Sequence, residues 1–173
     1  MLESLTLPKL GVKGQHAEPW LREQNVEVPS TVYETRRLAD GGLIARLGST
    51  DFFLEGAATG DVLPRLTAEI ANAPPEVYRV ERHEATFRIS GTQAVKVLAQ
   101  LCSLDFRSAS PGRVVLTRAG GVNCAVLPEL STDDRQFRFW VDCTYAVFFG
   151  ETLANINREL GDNPAIAVPR DFR

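Results

Sequence analysis

Four stretches of the chain place apolar residues at three- and four-residue spacing, which is the period of an amphipathic helix. These stretches cover residues 15–24, residues 60–71 up to an Asn-Ala-Pro-Pro stop, residues 93–102 and residues 144–160. The side chains predicted to face the core are, helix by helix, Ala17, Trp20 and Leu21; Val62, Leu63, Leu66 and Ile70; Val95, Leu98, Ala99 and Cys102; and Tyr145, Phe148, Phe149, Leu153, Ile156 and Leu160.

Between the helices, short runs of alternating apolar and polar residues end at Gly, Asp or Pro and predict strands. Because side chains alternate across a strand, Phe52 and Leu54 should share one face, and so should Phe137, Phe139 and Val141. The predicted strands are residues 31–38, 43–47, 51–55, 77–90, 113–118, 122–127 and 137–141.

The two halves of the chain resemble each other. The strand after a Gly-Gly pair alternates alike in both, with Leu43 and Ala45 in one copy matching Val122 and Cys124 in the other. Further matches lie 77 residues apart, or 79 for the Gly-Gly pairs: Gly14 with Gly91, Ala17 with Ala94, Leu21 with Leu98, and residues 41–42 with residues 120–121.

Each half therefore reads as strand, Gly-capped helix, strand, Gly-Gly turn, two strands and helix. This order predicts an α+β fold of duplicated split-βαβ (ferredoxin-like) halves, with helices on one face of a largely antiparallel sheet. We expect one domain over residues 1–173, made of two pseudo-repeats at about 9–75 and 76–161, followed by a short tail at 162–173.

Composition narrows the class of protein. The 173 residues are 44% apolar and 24% charged, which is typical of a globular domain. A net charge of −3 argues against a strong nucleic-acid binder, whose affinity depends on neutralising phosphates. No apolar run is long enough for a membrane helix, and the first residues lack the pattern of a signal peptide. A soluble cytoplasmic protein is the expectation.

The residue types that carry chemistry are sparse. The three cysteines, Cys102, Cys124 and Cys143, have neither zinc-knuckle nor redox spacing and are expected to be free thiols. The two histidines, His16 and His83, lie far apart in sequence, and no Gly-rich phosphate loop is present. The sequence therefore predicts no metal site and no catalytic group of its own.

Three segments carry a resemblance to a known family. They are residues 11–29, with Gly-Val-Lys-Gly before a Trp-Leu pair and a Val-Pro connection; residues 42–54, with Gly-Leu-Ile-Ala-Arg-Leu-Gly before Phe-Phe-Leu; and residues 137–141, Phe-Arg-Phe-Trp-Val, before an aromatic helix. Over about residues 9–160 the chain resembles the sarcosine oxidase gamma subunit family. The wider relatives are the aminomethyltransferase-type folate-binding proteins, which also consist of duplicated halves.

The resemblance implies an aminomethyltransferase folate-binding-domain-like fold and the role of a small, non-catalytic subunit. In the complex it implies, sarcosine is demethylated to glycine, and the one-carbon unit passes to tetrahydrofolate. FAD or FMN and NAD would then belong to larger alpha and beta subunits, which a small delta subunit accompanies. Apolar residues near the chain ends are expected to dock on these partners: Leu5, Leu7, Leu10, Ile166, Val168 and Phe172.

The resemblance also suggests where a folate would bind. Relatives that transfer a one-carbon unit carry a turn whose carboxylate holds the pterin, and the corresponding stretch here is residues 131–136. Asp133 or Asp134 could supply that carboxylate, and Arg138 could face the folate tail. A solvated hairpin turn followed by an ordinary strand arginine explains the same residues.

Two hypotheses stay open at this point. In the first, the chain is a non-catalytic subunit of an oxidoreductase complex. In the second, it is a free-standing folate-binding or one-carbon transfer module. The longer relatives have a C-terminal barrel and a Gly-rich acidic turn that this sequence does not show. These departures favour the subunit hypothesis.

Overall fold

The structure is a computed structural model of the chain, and it describes residues 1–130 and 135–161. Over these residues there are two five-stranded sheets, in which every strand pair is antiparallel, and four α-helices. The predicted α+β class is therefore confirmed. The strands are β1 (Leu2–Leu5), β2 (Lys9–Lys13), β3 (Thr35–Arg37), β4 (Leu43–Arg46), β5 (Asp51–Glu55), β6 (Tyr78–Val80), β7 (Glu84–Ser90), β8 (Val115–Ala119), β9 (Val122–Leu130) and β10 (Arg135–Asp142). The helices are α1 (Ala17–Glu23), α2 (Val62–Glu69), α3 (Ala94–Leu101) and α4 (Ala146–Glu159).

The described residues divide into two compact units. The first unit is Leu7–His83, and its sheet has the strand order β3-β4-β5-β2-β6. The second unit combines Met1–Thr6 with the described residues from Glu84 onward, and its sheet has the equivalent order β8-β9-β10-β7-β1. The predicted duplication of one α+β motif is confirmed. The single domain of pseudo-repeats at about 9–75 and 76–161 remains a prediction, and the tail at 162–173 lies outside the described residues.

The edge strands do not pair with the strands next to them in sequence, and one sheet takes its edge strand β1 from the first residues of the chain. β1 precedes β2 in the chain but pairs with β7, and β6 precedes β7 but pairs with β2. The prediction of one strand over residues 77–90 is therefore wrong, because β6 and β7 belong to different sheets. The charged residues 81–83 separate them. β1 is not predicted from the sequence, because four residues are too few to show a periodic pattern.

Glycines with left-handed backbone lie at the same two points in both halves. Gly14 (φ +128°) and Gly91 (φ +101°) each lie three residues before a helix, α1 or α3. Gly41 (φ +92°) and Gly121 (φ +86°) lie in the turns that lead into β4 and β9. L side chains rarely adopt this conformation, so these positions call for glycine. The repeated Gly motifs of the sequence thus have a backbone cause.

The residues matched between the two halves in β4 and β9 do not face the cores in the same way. Val122 and Cys124 of β9 belong to the core cluster of the second unit. In β4, however, the residue in the core cluster of the first unit is Ile44, and Leu43 and Ala45 lie on the opposite face. All four residues of β4 are buried, so alternating polarity could not reveal which face is the core.

The predicted buried face of α3 is correct at Leu98 but wrong at Ala99. Ala99 is exposed, and Val95 and Cys102 are only partly buried. Two faces of this helix have apolar residues at helical spacing, and tertiary packing selects between them. The buried side chains are Ala94, Val97, Leu98 and Leu101.

The predicted core stripe of α4 is correct only in its middle. Phe149 and Leu153 are fully buried, but Tyr145 and Phe148 are about half exposed. The α-helix begins at Ala146, so Tyr145 lies in a preceding 3₁₀ turn with a different period. Phe148 lies about 100° around the helix from its neighbour Phe149, outside the buried stripe.

Each unit has its own core. In the second unit, the Phe149 ring packs against Phe87 and Phe139, with ring centroids 5.5 and 5.6 Å apart. Phe137, Phe139 and Val141 share the core face of β10, as predicted. The first core contains every side chain that the sequence assigns to the buried faces of α1 and α2, together with Phe52 and Leu54.

The apolar residues near the N-terminus belong to the fold. Leu10 is fully buried in β2, and Leu5 is half-buried in β1. The predicted role of Leu10 as a partner anchor is therefore wrong, because it belongs to the core of the first unit. Leu7 is half-buried like Leu5, and for these two residues the role stays a prediction. Ile166, Val168 and Phe172 lie outside the described residues. In the described part of the chain, none of the helices combines the length and apolar character of a membrane span.

Gly14→Ala is expected to destabilise the chain more than Gly41→Ala. Both glycines have left-handed φ, but a Cβ on Gly14 would lie 1.9 Å from the main-chain oxygen of Glu76, whereas nothing lies within 4 Å of a Cβ on Gly41. Left-handed backbone alone should cost about 1–2 kcal/mol at Gly41. The added clash should bring the cost at Gly14 to about 3 kcal/mol or more. Urea unfolding measures both, and equal losses would contradict the close approach.

Cys124 is expected to resist alkylation in the folded chain. Burial, and after it the nearby Cys102, raises the pKa of the Cys124 thiol to about 11, and only the thiolate reacts. The folded chain therefore favours the neutral thiol. The resulting contribution to the free energy of unfolding is fully present below the ordinary thiol pKa and is lost as the pH rises through about 11. Near neutral pH, iodoacetamide should modify the half-buried Cys102 and Cys143 first, as peptide mass spectrometry would show. Equal rates at all three thiols would refute the prediction.

Candidate ligand site at the β9–β10 hairpin

The strongest candidate site lies at one end of the β9–β10 hairpin. The two strands pair from Cys124 opposite Val141 to Leu130 opposite Arg135. The connection between them, residues 131–134, lies outside the described residues. Asp133 and Asp134 fall in this connection, so their role as folate carboxylates stays a prediction. The structure does describe both strand ends and the residues around them.

A cavity of about 160 Å³ lies beside these strand ends. One wall comes from the loop after α3, which includes a 3₁₀ turn over Phe106–Ser108. The Phe106 ring is buried and meets the Phe137 ring edge to face at 5.8 Å, which fixes the loop against the sheet. The lining residues are Arg107, Ser108, Ala109, Pro111, Pro128, Glu129, Arg135, Gln136 and Phe137.

Arg138, the predicted ligand for a folate tail, forms a buried ion pair. Its Nε and Nη2 atoms donate to the two carboxylate oxygens of Glu129 at 3.1 and 3.2 Å, and both side chains are more than 90% buried. Removing one partner of such a pair leaves an uncompensated buried charge, at a cost of roughly 3–5 kcal/mol. The Nε and Nη2 atoms of Arg138 could therefore reach a ligand only by exchanging Glu129 for it. Its role in folate binding stays a prediction.

Arg135 places a second cation at the cavity. Its Nη1 donates to the main-chain oxygen of Phe106 at 3.2 Å and to that of Arg107, which ties the start of β10 to the opposite wall. Arg107 also lines the cavity, but its guanidinium forms a two-pronged pair with Asp105 at 2.8–3.0 Å. Arg107 lowers the pKa of Asp105 to about 2, so this carboxylate is charged and balances Arg107 at neutral pH.

Sequence reasoning missed Glu129, Arg107 and Arg135 as members of this group. Arg135 lies within the predicted stretch 131–136 and Glu129 lies two residues before it, so two opposite charges at a turn were an available signal. Arg107 lies in a loop well before β9, and nothing in the sequence indicates that this loop returns to the hairpin. Arg138 is the one predicted site residue that the described part of the chain includes.

Both histidines lie at the surface of the protein. His16 is exposed, with Nδ1 3.0 Å from the main-chain oxygen of Pro75 and 3.7 Å from the Glu76 carboxylate. His83 is exposed as well. Across residues 1–130 and 135–161, no three His, Cys, Asp or Glu side chains lie together as metal ligands would. The hairpin cavity can thus bind a polar ligand through its cations and its amide side chain.

Comparison with known proteins gives structural matches only. No family model matches the sequence, and no curated protein is similar to it in sequence. A chain of the heterotetrameric sarcosine oxidase from Corynebacterium sp. U-96, in complex with pyrrole 2-carboxylate, superposes with a TM-score of 0.75 at 17% identity. The match covers 95% of the present chain and 87% of that chain.

The glycine cleavage system aminomethyltransferase T from Bartonella henselae also superposes, with a TM-score of 0.71 at 16% identity. This match covers 91% of the present chain but 46% of the aminomethyltransferase, so the chain spans about half the length of that enzyme. Likeness at these identities concerns the fold. The fold that the sequence resemblance implies is thereby confirmed: it is the one shared by this sarcosine oxidase chain and by the aminomethyltransferase.

Proposed function

We propose that the chain is a small, gamma-like subunit of a cytoplasmic, heterotetrameric sarcosine oxidase-type flavoenzyme. The observation that carries this proposal is the match along 95% of the chain to a chain of such an oxidase, of which 87% is covered in turn. The two chains are therefore of similar length and share one architecture from end to end. The aminomethyltransferase, in contrast, is about twice as long.

In this proposal the redox chemistry takes place on other chains. Alpha and beta subunits would hold FAD or FMN and NAD, and sarcosine would be demethylated there to glycine. A small delta subunit completes the proposed complex. The present chain contributes a scaffold, because the functional groups found in its described part are ion pairs and a small cavity with two arginines in its lining. Fold likeness alone does not assign a reaction, so assembly is the property to test.

The hairpin cavity supports a second candidate, a free-standing folate-binding or one-carbon transfer module. A reduced folate has a pterin with N–H donors at one end and carboxylates at the other. Arg135 and Gln136 at the cavity suit a carboxylate and a polar ring edge, respectively. Glu129 offers a carboxylate in the same wall, but Arg138 occupies both of its oxygens. The cations of the site thus suit the carboxylates of tetrahydrofolate, whereas the buried carboxylate of Glu129 is already paired with Arg138.

The subunit proposal predicts co-purification. When the chain is co-expressed with the alpha, beta and delta chains encoded in the same source, all four should elute together in equal amounts. The complex should form hydrogen peroxide on addition of sarcosine, whereas the isolated chain should not. Elution of the present chain on its own, from a sample in which the other three assemble, would contradict the proposal.

The folate candidate predicts that Arg135→Met weakens binding of 5-formyltetrahydrofolate by about tenfold or more, since a charge-assisted contact is lost. Titration of the tryptophan fluorescence is a suitable assay, because Trp140 lies two residues from Arg138 on the same face of β10. Arg118→Met is the matched control. Arg118 also donates to a main-chain oxygen, that of Gly121 at 2.9 Å, but it does not line the cavity. Equal affinities of the two variants, or no binding by the wild type, would rule out this site.

A further inference from the structure

The beginning of α4 carries an exposed apolar cluster. Tyr145, Val147 and Phe148 are 50%, 48% and 53% exposed, and we call these three side chains the α4 patch. They lie within four consecutive positions, and all belong to the second unit. The helix itself is well packed, because Phe149 and Leu153 on its core-facing side are fully buried.

The clustering distinguishes the α4 patch from ordinary surface residues. Single apolar side chains are common on protein surfaces and need no explanation, whereas contiguous ones mark interaction sites. The described residues include seven large apolar side chains that are exposed, and three of them form the α4 patch. The other four are Met1, Tyr78, Leu104 and Leu116. Phenylalanine and tyrosine are also the types that anchor protein interfaces.

The charges nearest to the α4 patch are acidic. Asp142 and Glu151 lie three residues before and three residues after it and are exposed, whereas the basic residue of α4 is Arg158, in the last turn of the helix. Asp142 accepts hydrogen bonds from the main-chain N–H and the hydroxyl of Thr144, which orders the turn that precedes the helix. A surface complementary to this segment therefore combines an apolar pocket with a basic rim.

We propose that the α4 patch docks on a larger subunit of the complex, in an apolar pocket that is edged by Lys or Arg. This inference rests on the proposed function, since it names the surface through which the chain joins its partner. Phe148 and Tyr145 are the anchors, and Glu151 pairs with the basic edge. A lone folded domain gains nothing from two half-exposed aromatic rings on adjacent turns, whereas a subunit gains from burying them on assembly.

The test measures how tightly the immobilised chain captures the purified alpha and beta chains of the same source. Phe148→Ser should weaken capture by about tenfold or more, and Glu151→Lys should weaken it in a salt-dependent way. Leu116→Ser is the matched control, because Leu116 is 57% exposed on β8 of the same unit but lies outside the patch. All three variants should keep the wild-type melting temperature, since the altered side chains are exposed.

The possible results separate the two proposals. If the wild type is captured and Phe148→Ser is captured equally well, the docking surface is wrong but the subunit proposal stands. If the wild type is not captured, both are wrong. The alternative occupant of the α4 patch is a second copy of this chain, and sedimentation of the chain alone tests for it. A dimer that Phe148→Ser dissociates would show that the patch binds a second copy, which would also overturn the proposal.

Discussion

The pairing of the edge strands is the constraint on which the rest of the fold depends. A strand at the edge of a sheet leaves main-chain groups without partners unless another strand covers it. β7 obtains its second neighbour from β1, and the terminal ammonium of Met1 donates to the main-chain oxygen of Ser90 at 2.6 Å. β2 obtains its second neighbour from β6, at the end of the same continuous segment. The first sheet is thus complete within Leu7–His83, whereas the second needs the first residues of the chain for its edge strand.

The helix-leading glycines lie beside these edge strands. Gly14 lies against the main chain of Glu76, two residues before β6, and Gly91 lies nearest to Met1, directly before β1. In both units, therefore, the edge strand begins next to the glycine that leads into the first helix. At Gly14 the approach is so close that a side chain has no room. The 77-residue repeat of these glycines thus reflects a shared backbone geometry.

Local patterns in the sequence predicted the helices but not the pairing of the edge strands β1 and β6. Helices with one apolar face, such as α1 and α2, are visible from spacing alone. β1 and β6 contain four and three residues, and their partners are chosen by long-range pairing, which no short window of sequence records. β4 is buried on both faces, so its polarity does not alternate. The boundaries of the units follow these strands and could not be read from composition.

The hairpin site shows the same limit at the level of side chains. Arg138 was recognised from the sequence, but its partner was not. Directly opposite Arg138 stands Leu127 on one side and Arg88 on the other, whereas Glu129 is the diagonal neighbour. A long arginine side chain reaches that diagonal position. Arg88 in turn is paired with Glu3 at 2.7 Å, so two arginines on the adjacent strands β7 and β10 are each balanced by an acid on their other neighbouring strand, β1 or β9.

This arrangement of charges bears on what the fold does in this chain. Arg138 is held by Glu129, and Arg88 holds the edge strand β1, so both buried or half-buried cations of this sheet face stabilise the sheet. The cations at the cavity, Arg135 and Arg107, lie at the hairpin end instead. One fold can serve a free enzyme or a subunit, and the distinction rests on the surfaces that remain after folding. Here those surfaces include a small cavity with two arginines in its lining and an apolar cluster on α4, and the proposed subunit role rests on the second of them.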